Sequence, residues 1–321
     1  MPRLRRVHPD EDPGFRRVRA GTGFRYLDAD GAAPATADAD RIRDLVIPPA
    51  WDDVWISVDP LGHIQAVGTD EAGRRQYLYH PRWRQKQDTG KYARALALAE
   101  ALPHARGRVT TALRRPELDR ERVLAAAFRM LDLAAPRVGS ARYLERYGSR
   151  GLTTLQRRDA QVAASVVTLS FPAKSGRRAF IEIDDGDLAA TIELLGAGRP
   201  RSRLLAYRRG RRNVALTPAE VNAHVRALTG GRFTAKDFRT LRGTILAADA
   251  LARIGTVDTK TDLKRAEQLA VRATAEALGN TIAVARGSYI DPRVFAAYRK
   301  GRLLELGVSP ESAIRALLGE H

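Results

Sequence analysis

Residues 278–292 read Leu-Gly-Asn-Thr-Ile-Ala-Val-Ala-Arg-Gly-Ser-Tyr-Ile-Asp-Pro. A helix-ending glycine, a run of small residues and then a tyrosine before Pro292 can be read in two ways. In the simpler one Tyr289 is a core residue packed between two helices, with Pro292 as a stop. In the other it is a nucleophile. A phenol with a pKa of about 10 reacts poorly at neutral pH, so it does chemistry only where cations stabilise the charge that develops. The choice depends on whether the rest of the chain supplies those cations.

It supplies them in excess. The 321 residues include 55 Lys and Arg against 37 Asp and Glu, a net charge of +18, and a polyanion is the partner such a chain implies. Residues 1–90 hold 14 basic and 14 acidic side chains, while residues 91–321 hold 41 and 23, so the excess lies wholly in the C-terminal part. Only seven of the cations are lysines, at 86, 91, 174, 236, 260, 264 and 300. Arginine stays charged, whereas a buried lysine can give up its proton. The absence of cysteine excludes disulfides, thiolate zinc sites and cysteine nucleophiles. Histidines at 8, 63, 80, 104, 224 and 321 show no metal-ligand spacing, and no Walker pattern occurs, so neither metal, cofactor nor ATP is expected. No apolar run approaches the ~20 residues of a membrane span, and acidic residues at 10–12 interrupt the Arg-rich N-terminus, unlike a signal peptide. A cytoplasmic, nucleoid-associated protein with no membrane contact is expected.

Along the chain, residues 1–20 read as a basic, partly ordered arm. Gly23–Tyr26, Val54–Val58 and His63–Val67 read as strands, the last two joined by an Asp59-Pro60-Leu61-Gly62 turn, with a short helix at Ala39–Leu45. Arg74, Arg75, Gln76, Tyr77 and Tyr79 then mix cations, an amide and aromatics in the manner of a DNA-facing strand, or of an exposed edge strand. Gln85–Gly90 is polar and lacks apolar spacing, which places a domain boundary there. Helical patterns follow at 91–102 and 117–135, the second ended by Pro136. The Gly-punctuated run from Arg137 to Gly151 leads into an expected strand at 151–155 and suits close backbone approach to phosphate. Val166–Phe171 and Ala179–Ile183 form a hairpin with Lys174 at its tip. Capping boxes at Thr217 and Thr234 open helices, the second presenting backbone amides to an anion near Arg239. Residues 258–278 form a long helix with Leu263, Ala266, Leu269, Ala270 and Ala273 as its buried stripe.

Leu-Gly-x-Thr followed by Ser-Tyr-Ile-Asp-Pro resembles the tyrosine-bearing segment of the type IB DNA topoisomerases, specifically the short poxvirus-like class found in bacteria. Pro48-Pro49-Ala50-Trp51, Gln76-Tyr77-Leu78-Tyr79 and Lys236-Asp237-Phe238-Arg239-Thr240 are similar to segments of the same class. The resemblance implies Tyr289 as nucleophile, Arg137 and Arg239 on the scissile phosphate, and Lys174 as the acid that protonates the leaving oxygen. It also implies Asn280 as a hydrogen-bond donor where many relatives carry histidine. Tyr143, Lys236 and residues 74–79 would then contact DNA. Many relatives carry lysine at the position of Ser140, a contact that Arg142 would have to take over. The reaction implied is strand cleavage and religation through a 3'-phosphotyrosyl intermediate, without ATP or an obligatory metal.

Two other readings stand beside it. A tyrosine site-specific recombinase shares the nucleophile and catalytic fold, but its arginine helix usually carries His-x-x-Arg where this chain has Lys236-x-x-Arg239. A non-catalytic basic DNA-binding protein would explain the charge alone. The expected architecture is α+β: a small mixed α/β N-terminal domain at 1–90, and a mostly helical catalytic domain carrying a small antiparallel sheet at 91–321. A monomer clamping double-stranded DNA is the expected working form.

Overall fold

The computed structural model describes residues 2–71 and 73–319, the Ser175 side chain aside; His321, the last of the six histidines, lies outside them. Two compact units meet in sequence at Gly90 and Lys91. Among the described residues no helix is long and apolar enough to cross a membrane.

The first unit is a five-stranded antiparallel sheet formed by β1 (Gly14–Ala20), β2 (Gly23–Leu27), β3 (Asp52–Ser57), β4 (Ile64–Thr69) and β5 (Arg75–Tyr79), in the order β2-β1-β3-β4-β5. Helix α1 (Thr36–Asp44) lays Ile42 against Phe15, Val54, Ile56 and Ala66. The expected arm at 1–20 is therefore corrected: residues 14–20 are the second strand of the sheet. Phe15 supplies the buried anchor; Arg16 and Arg19 are exposed, while the half-buried Arg17 donates to the Pro48 carbonyl at 3.0 Å and stacks on Phe24 at 4.1 Å. The chain ahead of this strand is also tied down, since the Arg5 amide donates to the Leu61 carbonyl at 2.9 Å.

Gln85–Gly90, where the domain boundary was expected, lies inside the long helix α2 (Pro81–Leu113). Gln and Lys are good helix formers, and a missing apolar stripe says only that the turn faces water. The same helix runs on through Pro103, past the expected end at 102. Proline removes one backbone donor there, but Ala105, Val109, Ala112 and Leu113 beyond it are all buried, and that burial outweighs the loss.

In the second unit α3 (Arg120–Ala134) runs through the core, with Val123, Leu124, Phe128, Met130 and Leu131 buried. It is followed by α4 (Ala141–Tyr147) and by a 3-10 turn at Leu152–Thr154 in place of the expected strand. Those apolar and β-branched residues make one buried turn because their amides are taken by the preceding loop: Leu152 donates to the Arg137 carbonyl at 2.8 Å and Thr153 to that of Val138 at 2.9 Å. Strands β6 (Ala160–Ala163), β7 (Val166–Pro172) and β8 (Arg178–Asp184) form an antiparallel sheet in sequence order. Helix α5 (Gly186–Gly196) and a small hairpin, β9 (Ala206–Arg209) with β10 (Arg212–Ala215), follow.

The remainder is helical: α6 (Pro218–Thr229), α7 (Ala235–Ile254), α8 (Lys260–Ala277), α9 (Ile282–Ser288), α10 (Pro292–Tyr298) and α11 (Pro310–Leu318). Helix α8 is rotated from its expected stripe. Leu269 is 47% exposed and Ala273 is also exposed, whereas Ala266, Glu267, Ala270, Val271, Thr274 and Ala275 are buried. A buried glutamate inverts the apolar pattern here, because Glu267 enters with arginine partners.

Candidate active site

The turn that follows α8 is the acceptor around which the site is built. Leu278, Gly279 and Asn280 leave the helix, with Gly279 at φ +58°, and turn two carbonyls and one side-chain oxygen toward the guanidiniums. Arg239, on α7 and only 5% exposed, donates through Nη2 to the Leu278 carbonyl at 2.8 Å and to Asn280 Oδ1 at 3.4 Å. Its Nη1 donates to the Ala135 carbonyl at 2.6 Å, which α3 offers because Ala135 caps that helix in the left-handed region. Arg137, two residues on, donates through Nη2 to Asn280 Oδ1 and to the Gly279 carbonyl at 3.2 Å. Burial, then the nearby charge of Arg239, lowers the pKa of Arg137.

Asn280 is buried, and its orientation follows from its neighbours: an oxygen shared by two guanidiniums must be the carbonyl oxygen. Its Nδ2 is thereby left without a hydrogen-bond partner among the described residues, as is Nε of Arg239. Unpaired buried donors are costly by about 1–3 kcal/mol each, so two in one site mark a place built for an acceptor.

Tyr289 caps the C-terminus of α9, its amide donating to the Ala285 carbonyl at 3.1 Å. The Arg239 guanidinium carbon lies 4.9 Å from the centroid of its ring. Burial raises the phenol pKa, but the charges of Arg239, Arg137 and Lys236 more than offset it, and the net direction is downward. Lys236 itself is exposed at the start of α7.

The backbone of Tyr289 is seated on α7 by two residues that the sequence reading passed over. Thr244 Oγ1 is shared between the carbonyls of Thr240, at 2.8 Å, and Tyr289, at 3.3 Å, and accepts the Asp291 amide at 3.1 Å. Gly243 lets the two segments meet: a Cβ there would stand 2.7 Å from the Tyr289 carbonyl oxygen and 3.0 Å from its Cβ. The available signal was a glycine inside an otherwise strong helix, one turn after Arg239, where it is about 1 kcal/mol worse than alanine unless something approaches closely.

Other expected residues stand apart. Lys174 is exposed at the β7–β8 tip, in the turn Lys174–Gly176, and makes no hydrogen bond or ion pair with the described residues. Arg177, on the far side of that tip, reaches the site instead, donating to the Asn280 carbonyl at 3.4 Å. It lines a cleft of about 210 Å³ together with Arg137, Arg150, Arg239 and Gly279. The start of α7, expected to present amides to an anion, is closed: Asp237 accepts the Thr234 amide at 2.8 Å and Asn222 accepts that of Ala235 at 3.0 Å. Ser140 caps α4 by accepting the Tyr143 amide at 3.3 Å. On that helix, which buries no residue, Tyr143 is exposed beside Tyr147 with ring centroids 5.5 Å apart, and Arg142 is exposed too.

In the N-terminal unit β5 divides the expected contacts between its faces. Arg75, Tyr77 and Tyr79 are exposed on one face, with the two tyrosine rings stacked at 5.9 Å and Arg75 5.8 Å over Tyr77. Gln76 alternates to the other face, where it and Arg74 hold Asp70 at 2.8 and 2.7 Å. Arg75 is paired with Asp10 at 2.6 Å.

The sequence model described as "Eukaryotic DNA topoisomerase I, catalytic core" matches residues 80–299, which span the convergent arginines, the hairpin and Tyr289. The chain belongs to the type IB DNA topoisomerase family. A second model, "Bacterial DNA topoisomerase IB, N-terminal domain", matches residues 23–70. A curated relative, DNA topoisomerase 1B of Acanthamoeba polyphaga mimivirus, is 29% identical over 286 residues, covering 86% of this chain and 85% of the relative. Membership makes this a DNA topoisomerase of type IB and makes DNA its substrate.

Proposed function

We propose that this topoisomerase relaxes supercoiled double-stranded DNA by cutting and resealing one strand through a 3'-phosphotyrosyl link to Tyr289. One observation carries the reading: Arg137, Arg239 and Asn280 converge on a single turn, with the Tyr289 ring against one guanidinium and its phenol pKa pushed downward.

The chemistry follows from that set. Attack of the Tyr289 oxygen on the phosphodiester places extra charge on the non-bridging oxygens. Two guanidiniums meet that charge with ionic hydrogen bonds, and the free Nδ2 of Asn280 donates a third. An amide cannot carry a proton across, so Asn280 stabilises charge and nothing more. The phenol must lose its proton as it attacks, and its lowered pKa reduces that penalty. The departing 5'-oxygen needs a proton, which Lys174 supplies once the hairpin tip meets DNA. Because the phosphotyrosine keeps the bond energy, resealing needs no nucleotide.

Arg75, Tyr77 and Tyr79 form the duplex-facing surface of the N-terminal domain, with Gln76 and Arg74 joining once released from Asp70. Tyr143 and Lys236 contact the backbone beside the scissile phosphate. The protein works as a monomer, its 1–90 and 91–321 domains clamping the duplex, in the cytoplasm at the nucleoid. Plasmid relaxation in EDTA without nucleotide, acting on both supercoil signs, is the test. A strict need for magnesium or ATP would overturn the proposal, and strand exchange between two sites would favour a recombinase.

A further inference from the structure

A single carboxylate ties together the two helices on either side of Tyr289. Glu267, on α8, is 5% exposed, and each of its oxygens serves a different segment. Oε2 accepts from Nη2 of Arg286 on α9 at 3.0 Å, and Oε1 meets Nη2 of Arg299, just past α10, at 2.6 Å. The Arg286 guanidinium also lies 4.9 Å over the ring of Phe295 in α10.

Little else holds α9. Its seven residues are too few to be stable as a free helix, only Ala285 is buried, and Ile282 and Val284 are 52% and 43% exposed. Thr244 pins the backbone at Tyr289 and Asp291 but leaves the angle at which α9 enters undetermined. Burying a carboxylate between arginines is a poor way to gain stability, since apolar residues of like volume do as well or better, but it is a good way to fix one geometry. Here the geometry fixed is that of the α9–α10 junction, which Tyr289 occupies.

We propose that Glu267 is a positioning residue for strand cleavage: by holding Arg286 and Arg299 together it sets the junction so that the Tyr289 phenol faces the phosphate. The inference rests on Tyr289 being the nucleophile. It predicts an asymmetry between the two half-reactions. Before cleavage only the protein orients Tyr289, whereas afterwards the phosphotyrosine bond holds it as well. Loosening the junction therefore adds freedom mainly to the uncleaved complex.

The test uses the full chain carrying Glu267→Gln and, separately, the half-exposed partners Arg286→Gln and Arg299→Gln, which decide the matter if the first does not fold. Single-turnover cleavage of a duplex that traps the adduct, religation, duplex affinity and amide hydrogen exchange are measured. Cleavage should slow on the order of tenfold, with religation within about twofold of the unaltered chain and affinity unchanged. Exchange should quicken in residues 282–298 and not in the β7–β8 hairpin. A merely structural role would lower the fraction of active protein and leave the cleavage rate constant alone; that result overturns the proposal, as does equal slowing of cleavage and religation. Absence of an adduct in the unaltered chain would instead overturn the nucleophile assignment, and this inference with it.

Discussion

Replacing Gly243 by alanine tests how Tyr289 is placed without altering any reacting group. The added Cβ would sit 2.7 Å from the Tyr289 carbonyl oxygen and 3.1 Å from a Leu278 methyl, against ordinary contacts that begin at 3.4 Å. The Leu278 methyl can rotate away, but the carbonyl belongs to the backbone and must move by about 0.7 Å or the helices must part. A displacement near 1 Å costs a reaction up to ~100-fold, so cleavage should slow about ten- to a hundredfold, or roughly 1.4–2.7 kcal/mol in the barrier. Stability responds less. Overpacking costs ~1–3 kcal/mol, and exchanging glycine for alanine inside a helix returns ~1 kcal/mol, leaving a net loss of about 0–2 kcal/mol. Single-turnover cleavage on a duplex whose released strand, the one bearing the free 5'-hydroxyl, dissociates reads the first quantity, and thermal unfolding the second. A Gly243→Ala protein cleaving at the unaltered rate would show that the contact with α7 does not place Tyr289.

Lys174→Ala should slow cleavage strongly on an ordinary duplex and recover most of its rate when the bridging 5'-oxygen is replaced by sulfur, which leaves without a proton; rescue of Arg239→Ala but not of Lys174→Ala would move the acid role elsewhere. Duplex affinity should fall with salt at a slope of roughly −0.9 per neutralised phosphate, and an affinity indifferent to salt would contradict a phosphate-led interface. His224 is held to about 4 by burial, then by the charges of Arg120 and Arg108. Its folded value lies below the unfolded one near 6.5, so the stability it contributes is complete above pH ~6.5 and is lost as pH falls toward 4. His224→Gln should flatten the fall in Tm across that window, and an unchanged slope would count against it.

Much of this molecule was legible in its sequence, and the failures have identifiable causes. Alternating aromatics and branched residues located β3 and β4, and the capping boxes at Thr217 and Thr234 located α6 and α7. Arginines hid β1, because one buried Phe15 is too weak a period against the three cations of residues 14–20. Leu152–Thr154 misled in the other direction, since residues that favour strands were captured by carbonyls of the 137–138 loop, a contact visible only in three dimensions. The same limit applies at the site. Motif residues named the convergent Arg137, Arg239, Asn280 and Tyr289, but their supports do not look functional in a string. Gly243 reads as a flaw in a helix, Thr244 as a spectator, and Glu267 as one more surface charge on α8. Their roles depend on which segments pack together, a property of distance rather than of local pattern.

If Tyr289 is the nucleophile, it becomes covalently joined to DNA. The direct measurement is to trap the adduct on a nicked or cleavable duplex, digest it, and identify the DNA-bearing peptide by mass spectrometry, with Tyr289→Phe run in parallel. A 3'-phosphotyrosyl link at residue 289 is expected and, for the phenylalanine variant, duplex binding with no adduct. An adduct on another residue, or a clean Tyr289→Phe preparation that still relaxes supercoiled plasmid, would contradict the assignment of Tyr289 as nucleophile.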